Sequence, residues 1–135
     1  ETINNSLEWV LTNRPDDVDF TIITQYPGSP YFDSSVRDPS REEVWVYTEP
    51  RTKKVLFSQD VNFAEKAEYY KGVPGDYTSF VWTESLSAQD LVRHRDRAEK
   101  TSREALGLEQ IAYSPGTQFE HSMGQGLPSS ILRSS

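Results

Sequence analysis

The most distinctive local pattern in the sequence is TIITQYPGSPYFD, residues 21–33. An apolar run leads into it, and two prolines with a glycine between them end that run. Pro27 and Gly28 fit the central positions of a type II turn, where glycine supplies the positive φ angle. The prolines also push the residues before them, Tyr26 and Ser29, toward extended backbone. The pattern therefore predicts a strand that stops at a stiff turn of fixed direction.

A helix and a strand are predicted ahead of this turn. Val18 to Tyr26 reads as the strand, and Phe20, Ile22 and Ile23 place apolar side chains on both of its faces, which is typical of a buried parallel strand. Residues 2–12 read as a helix because apolar residues recur at helical spacing, at Ile3, Leu7, Val10 and Leu11. A helix, a short polar break and a buried strand together form an α/β repeat unit.

The following residues are typical of a small α+β extension. Residues 34–43 are polar and read as a connection, and residues 44–47 and 54–58 form two short strands joined by a hairpin loop. Residues 62–70 are predicted to form a short helix. Residues 78–82 are predicted to form a third short strand.

The clearest helix begins after Ser87, a good N-cap residue with Asp90 three positions later, and ends at Gly107. Its other residues are dense in charge, and His94 lies on the charged face. We therefore predict a solvated surface helix. Its thin apolar stripe consists of Leu91, Val92, Ala98, Ala105 and Leu106.

The predicted organisation has three parts. Residues 1–37 form the helix–strand unit, residues 38–108 form the α+β extension, and residues 109–135 form an irregular tail rich in Ser, Gly, Gln and Pro. The tail contains His121, which alternates with Phe119 and Met123.

Composition limits the function. The chain has 135 residues, which is typical of one domain. Its net charge of −7 argues against nucleic acid or an anionic membrane surface as a partner. No apolar run is long enough to span a membrane. Cysteine is absent, so this chain alone can supply neither a disulfide nor thiolate ligands for zinc or an iron–sulfur cluster. No catalytic residue and no metal ligand set is predicted, since the two histidines lie on different elements and no acidic pair stands out.

The turn itself has two readings. Ligand sites in α/β sheets and barrels gather at the carboxyl ends of strands, so a stiff turn after Tyr26 can form the rim of a pocket. The other reading is a simple structural turn, because Pro-Gly turns are common. The local pattern leaves both readings open.

A family resemblance bears on this choice. Residues 1–33 resemble the last helix–strand unit of the radical S-adenosylmethionine (radical SAM) barrel, in the branch that often carries a cobalamin-binding domain. In that branch a GxPGET segment precedes the helix, and the sixth strand runs into P-Y-P-G-T-P-Y. Here Glu1-Thr2 matches the end of the first motif, and residues 25–31, QYPGSPY, match the second. The aromatic segments after residue 43, the helix and the FEHSMG tail resemble the C-terminal extension of some members.

The resemblance implies a partial (β/α)6 barrel whose other strands are the partner of this segment. It implies a cytoplasmic parent enzyme whose cofactors are S-adenosylmethionine and a [4Fe–4S] cluster, and some members also use cobalamin. We expect this chain alone to hold none of these cofactors. The parent would cleave S-adenosylmethionine reductively or transfer a methyl group through cobalamin. The end of the sixth strand lies beside the adenine in this family, which maps onto Thr24, Gln25, Tyr26, Pro27 and Gly28. Strand alternation suggests that Gln25 points into the barrel.

The chain departs from the family in having none of the three cysteines of the CxxxCxxC loop. The family places that loop after its first strand, so we expect a C-terminal fragment truncated before it. The rival hypotheses are a small non-catalytic interaction domain that uses its aromatic hairpin and its acidic surface, and an inactive truncated product.

Overall fold

The computed structural model describes residues 2–62 and 78–109. Helix α1 (Thr2–Asn13) comes first, as predicted, and a turn of helix α2 (Pro30–Asp33) follows the Pro-Gly turn. The sheet and the last helix then follow in the order β1 (Val36–Asp38), β2 (Arg41–Thr48), β3 (Val55–Gln59), β4 (Val81–Thr83) and α3 (Ala88–Leu106). The fold of the described residues is α+β, because the strands and helices do not alternate.

The strands form a sheet in the order β1-β2-β3-β4, and every neighbouring pair is antiparallel. The predicted hairpin is confirmed as β2 and β3, and the third predicted strand is confirmed as β4, shifted toward the C-terminus. The prediction of a connection over residues 34–43 was wrong, since β1 and the start of β2 lie there. Most side chains in this stretch are polar or charged and exposed, which suits an edge hairpin.

The two faces of the sheet carry different residues because side chains alternate along each strand. Residues opposite one another in the register share a face, so Trp45, Ser58 and Val81 lie together, and Ser58 and Val81 are buried. Helix α2 packs on this face through its aromatic rings. The Tyr31 and Tyr47 ring centroids are 4.8 Å apart.

The other face carries Val46, Phe57 and Trp82. The rings of Phe57 and Trp82 stack at 5.8 Å, and the Arg41 guanidinium lies 4.7 Å from the Phe57 centroid. Asp38 holds this guanidinium by hydrogen bonds from both Arg41 Nε and Arg41 Nη2. Charged and aromatic side chains of the sheet thus interact with one another at its surface.

Both predicted ends of α3 are confirmed. Ser87 and Asp90 form a complete capping box, and Gly107 ends the helix in the left-handed conformation with φ of 71°. Helix α1 packs against α3, where Arg14 Nη2 donates to the carbonyl of Ala105 at 2.8 Å and Arg97 Nη2 donates to Asn4 Oδ1 at 2.7 Å.

The predicted buried parallel strand over residues 18–26 was wrong. The segment forms no strand, and its burial alternates: Val18, Phe20, Ile22 and Thr24 are half-buried, whereas Asp19, Thr21 and Ile23 are exposed. No neighbouring strand lies beside it among the described residues, so neither a parallel ladder nor a second apolar layer forms. The described residues therefore form no β/α barrel unit, and the structure shows the coarser α+β class.

The predicted solvated face of α3 was also wrong in part. Five residues of this helix are buried at helical spacing, and most of them are polar or charged: Arg95, Ala98, Glu99, Ser102 and Arg103. The charges on this stripe have partners inside the protein, so the helix face is an internal contact rather than a solvated one. The helix predicted over residues 62–70 falls almost wholly outside the described residues, as does the tail with His121.

Candidate functional site

The candidate site is the turn predicted from the prolines. Gly28 has φ of 82°, and Ser29 N–H donates to the carbonyl of Tyr26 at 3.0 Å, which is the bond that closes a type II turn. Ser29 then caps α2, because its Oγ accepts a hydrogen bond from Phe32 N–H and Pro30 occupies the first turn of the helix. The direction of the chain is therefore fixed on both sides of the turn.

Gln25 is the buried residue of this site, with 2% of its surface exposed. Its Oε1 lies 3.1 Å from Ser35 Oγ, and its Nε2 has no hydrogen-bond partner among the described residues. A buried amide nitrogen without a partner costs about 1–3 kcal/mol relative to a satisfied one. Such an atom is uncommon in a folded protein, and a further polar group beside it would supply the missing hydrogen bond.

The hydroxyl of Ser35 decides which amide atom lacks a partner. Ser35 Oγ donates to the carbonyl of Tyr31 at 2.6 Å, and a hydroxyl has only one hydrogen. With that hydrogen committed, Ser35 Oγ can only accept from Gln25, which requires the amide to turn so that Nε2 faces Ser35. The oxygen Oε1 then takes the unpartnered position. In this orientation Gln25 offers an acceptor, and the group that completes it is an N–H or O–H donor.

The other predicted site residues lie around Gln25 without converging on one point. Thr24 is half-buried and its Oγ1 donates to the carbonyl of Ile22 at 3.4 Å. Tyr26 is exposed, Pro27 is half-buried and Gly28 is exposed. The alternation of burial along the segment breaks at this point, because Gln25 is buried although Thr21 and Ile23, which alternation would place on its side, are exposed. Tyr26 N–H donates to the carbonyl of Thr24 at 3.1 Å there.

Helix α3 holds the backbone ahead of this turn by side-chain hydrogen bonds. Glu99 Oε2 accepts from Phe20 N–H at 2.9 Å, and Arg95 Nε donates to the carbonyl of Phe20 at 2.7 Å. Both main-chain groups of Phe20 thus face the same helix, as they do in an extended strand facing a neighbour. Two side chains replace the two hydrogen bonds that a neighbouring strand would form.

Arg103 extends the same contact toward the start of the segment. Its Nη1 donates to the carbonyl of Val18 at 3.2 Å and lies 3.3 Å from both Asp17 Oδ1 and Glu99 Oε1. Its Nε donates to the carbonyl of Glu109 at 2.6 Å. We call Arg95, Glu99 and Arg103 the α3 triad.

Burial controls the electrostatics of the α3 triad. Glu99 is 6% exposed, and loss of hydration raises the pKa of its carboxyl group above the ordinary value. The hydrogen bond from Phe20 N–H and the charges of Arg95 and Arg103 oppose this rise. Two buried guanidinium groups around one carboxylate are costly to separate, because each would lose its partner away from water.

The opposite edge of the segment has no partner among the described residues. Thr21 and Ile23 are exposed, and their main-chain groups form no hydrogen bond to any described residue. In a strand, neighbouring residues direct these groups to alternate sides, so those of Thr21 and Ile23 point away from the side of Phe20 that faces α3. Within residues 2–62 and 78–109, one edge of the segment is therefore closed by side chains, and the other edge has no partner.

Sequence reasoning missed the α3 triad because it looked for apolar stripes. The signal was present: the small residues Ala98 and Ser102 share one helical face with Arg95, Glu99 and Arg103. Small residues let another segment approach closely, and the long stems of Arg and Glu then reach around it.

Within residues 2–62 and 78–109, no three His, Asp or Glu side chains come together in a way that would hold a metal ion. The helices of this part of the chain are too short or too polar to cross a membrane. Comparison with protein-family models, with curated proteins and with solved structures finds no match for this chain.

Proposed function

We propose that this chain is the C-terminal part of a cytoplasmic radical SAM enzyme and supplies the adenine-side rim of its cofactor pocket. The single observation that carries the proposal is the combination at residues 18–28. A segment in which the main-chain groups of Thr21 and Ile23 have no described partner ends in a type II Pro-Gly turn, and a buried amide that lacks one partner lies at that end.

The open edge supports the idea of a missing neighbour. Thr21 and Ile23 offer main-chain donors and acceptors on one side only, because α3 closes the other. The last strand of an open barrel needs a strand neighbour on one edge alone. The remaining strands of the same barrel are the partner that we propose for this edge.

The residues of the rim fit an adenine-bearing cofactor. Gln25 has a buried amide atom that still needs a hydrogen-bonding group, and its own main-chain groups make no bond to the described residues. Thr24, Tyr26, Pro27 and Gly28 would shape the backbone around it. S-adenosylmethionine, when bound with its cluster, would supply the radical or methyl-transfer chemistry, with or without cobalamin. The residues of this chain would bind and orient the cofactor, whereas the cluster cysteines would come from elsewhere in the protein.

The rival role as an aromatic interaction module finds less support. The aromatic rings of the sheet region contact one another or an arginine, as in the pairs Tyr31–Tyr47, Phe32–Trp45 and Phe57–Trp82. Each of these rings therefore already has a partner within the domain.

The proposal is tested first by the coding sequence upstream of Glu1. We expect a CxxxCxxC motif there. Reconstitution of the 135-residue chain by itself with iron and sulfide should give no [4Fe–4S] absorbance, because it has no cysteine. A stable cluster with stoichiometric iron on this chain alone would contradict the proposal.

The second test substitutes the turn in the full-length protein. Gly28→Val places a β-branched residue at φ of 82°, so the turn is strained or displaced even though no atom lies within 4 Å of the added Cβ. Calorimetry should show that affinity for S-adenosylmethionine falls by roughly ten-fold or more. Cluster content should stay the same. The control His94→Ala, on the α3 face away from the triad, should bind like the parent; equal binding by a folded Gly28→Val protein would show that the turn is only structural.

A further inference from the structure

The α3 triad has a role that burial alone does not explain. A buried arrangement of charged residues is weak evidence for stability, because well-packed apolar side chains of similar volume often stabilise a fold as well or better. The three side chains of this triad contact main-chain groups of one segment rather than only one another. Their arrangement is therefore suited to recognition of a backbone.

The contacts are specific to the register of the segment. Phe20 receives a donor and an acceptor from α3, and the carbonyl of Val18 receives a second donor. A shift of the segment by one residue would turn the main-chain groups of Phe20 away from α3, so Glu99 would lose the donor and Arg95 the acceptor that Phe20 supplies. The half-buried apolar side chains of Val18, Phe20 and Ile22 favour the same register, because a shift by one residue would expose them.

We infer that Arg95, Glu99 and Arg103 are positioning residues that lock the register of residues 18–26 and so place the Gln25 amide at the rim. They do this through the main chain of Val18 and Phe20, without touching a ligand. The inference that the lock sets ligand affinity rests on the proposed function; the lock itself does not.

The contact of α3 with Phe20 lies close along the chain to Gln25. Phe20 and Gln25 are joined by a short stretch without a glycine or a proline. A stretch of this kind transmits a shift at one end to the other, because the reach of a few residues is limited. The rim is fixed at its far side by the Pro-Gly turn and by the Ser29 cap of α2. Gln25 therefore lies between two fixed points.

The lock is tested by amide hydrogen exchange on the 135-residue chain. Glu99→Leu removes the acceptor for Phe20 N–H, and we expect the Phe20 amide to exchange roughly ten-fold faster or more, as for loss of a hydrogen bond to a charged group. The Val46 amide, in the middle of the sheet, should change only as far as global stability changes. Glu104→Gln is the matched control, because Glu104 is an exposed acid on the same helix that pairs with Lys100.

A milder variant covers the case in which Glu99→Leu does not fold. Arg95→Lys keeps the charge, but one ammonium group cannot serve both the Phe20 carbonyl and Asp96, which Arg95 contacts through Nε and Nη1. We expect exchange at Phe20 to rise by a few-fold here. Equal exchange changes at Phe20 and Val46 in the folded variants would overturn the lock.

The link to the rim is tested separately in the full-length protein. Glu99→Leu, or Arg95→Lys in its place, should lower affinity for S-adenosylhomocysteine by several-fold while the sheet amides keep their protection. If the unsubstituted protein does not bind this probe at all, the proposed function fails, and the exchange results still decide the lock. If binding is unchanged although Phe20 exchanges faster, the inference that the lock positions the rim is wrong.

Discussion

The strands of the sheet and residues 18–26 form the hydrogen bonds of their main-chain groups in different ways. In the sheet, main-chain groups of β2 and β3 pair with each other, and the charged side chains lie at the surface. In residues 18–26, main-chain groups pair with the α3 triad on one edge and with no described residue at Thr21 and Ile23 on the other. In residues 18–26, buried charged side chains thus form the main-chain hydrogen bonds that a neighbouring strand forms in the sheet.

The largest expected difference between these two regions concerns their arginines. Arg103→Met should lower the free energy of unfolding by about 3 kcal/mol or more, because Glu99 keeps its charge in a buried site with one partner fewer. Arg41→Met in the sheet region should cost about 1 kcal/mol or less, since Arg41 is half-exposed and lies over the Phe57 and Trp82 rings. Urea unfolding of both variants measures the difference. Equal losses would break the comparison.

The second difference concerns the direction in which stability changes when a buried polar side chain is replaced by an apolar one. Gln25→Met replaces an amide that has a buried unpartnered atom with an apolar side chain of similar length, so stability should stay level or rise by about 1 kcal/mol. Ser58→Ala is the sheet control, because Ser58 is also buried but its hydroxyl donates to the carbonyl of Gln59. That variant should be neutral or slightly destabilising. A clear loss of stability in Gln25→Met would show that the amide already has its partners.

The third difference concerns pH. Because burial raises the pKa of Glu99 above 4.5, the folded state binds a proton more tightly there, and stability falls as the pH rises from 4.5 through the raised pKa. Asp90 in the α3 capping box has the opposite sign, since hydrogen bonds from Ser87 hold its pKa at about 2 and its contribution is lost as the pH falls from 3.8 toward that value. Glu99→Gln should remove the decline above pH 4.5 in denaturation curves. A decline that persists in this variant would assign it to another group.

Local rules predicted the parts of the fold that local forces decide. Ser87 with Asp90, Gly107 and the Pro27-Gly28 turn satisfy their backbone groups within a few residues, so their sequence patterns were sufficient. The hairpin of β2 and β3 was also visible as two apolar runs around a polar loop.

Nonlocal contacts explain what the sequence did not predict. The apolar run from Val18 to Tyr26 looks like a buried strand, but a strand requires a neighbour, and α3 supplies side chains instead. The charges of Arg95, Glu99 and Arg103 look like a solvated face until their main-chain partners, which lie more than 70 residues earlier, are known. At the candidate site, the sequence predicted the Pro27-Gly28 turn that follows Gln25. It did not predict the burial of Gln25 or its contact with Ser35.

The most direct test of the account is residue-resolved amide exchange across Phe20, Thr21 and Ile23 in the unsubstituted chain. We expect Phe20 to exchange at least about ten-fold more slowly than Thr21 and Ile23, because Glu99 accepts its hydrogen and the other two amides have no partner among the described residues. In the full-length protein, Thr21 and Ile23 should become as protected as the amides of β2. Equal protection of all three amides in the chain by itself would contradict a segment with one closed and one open edge.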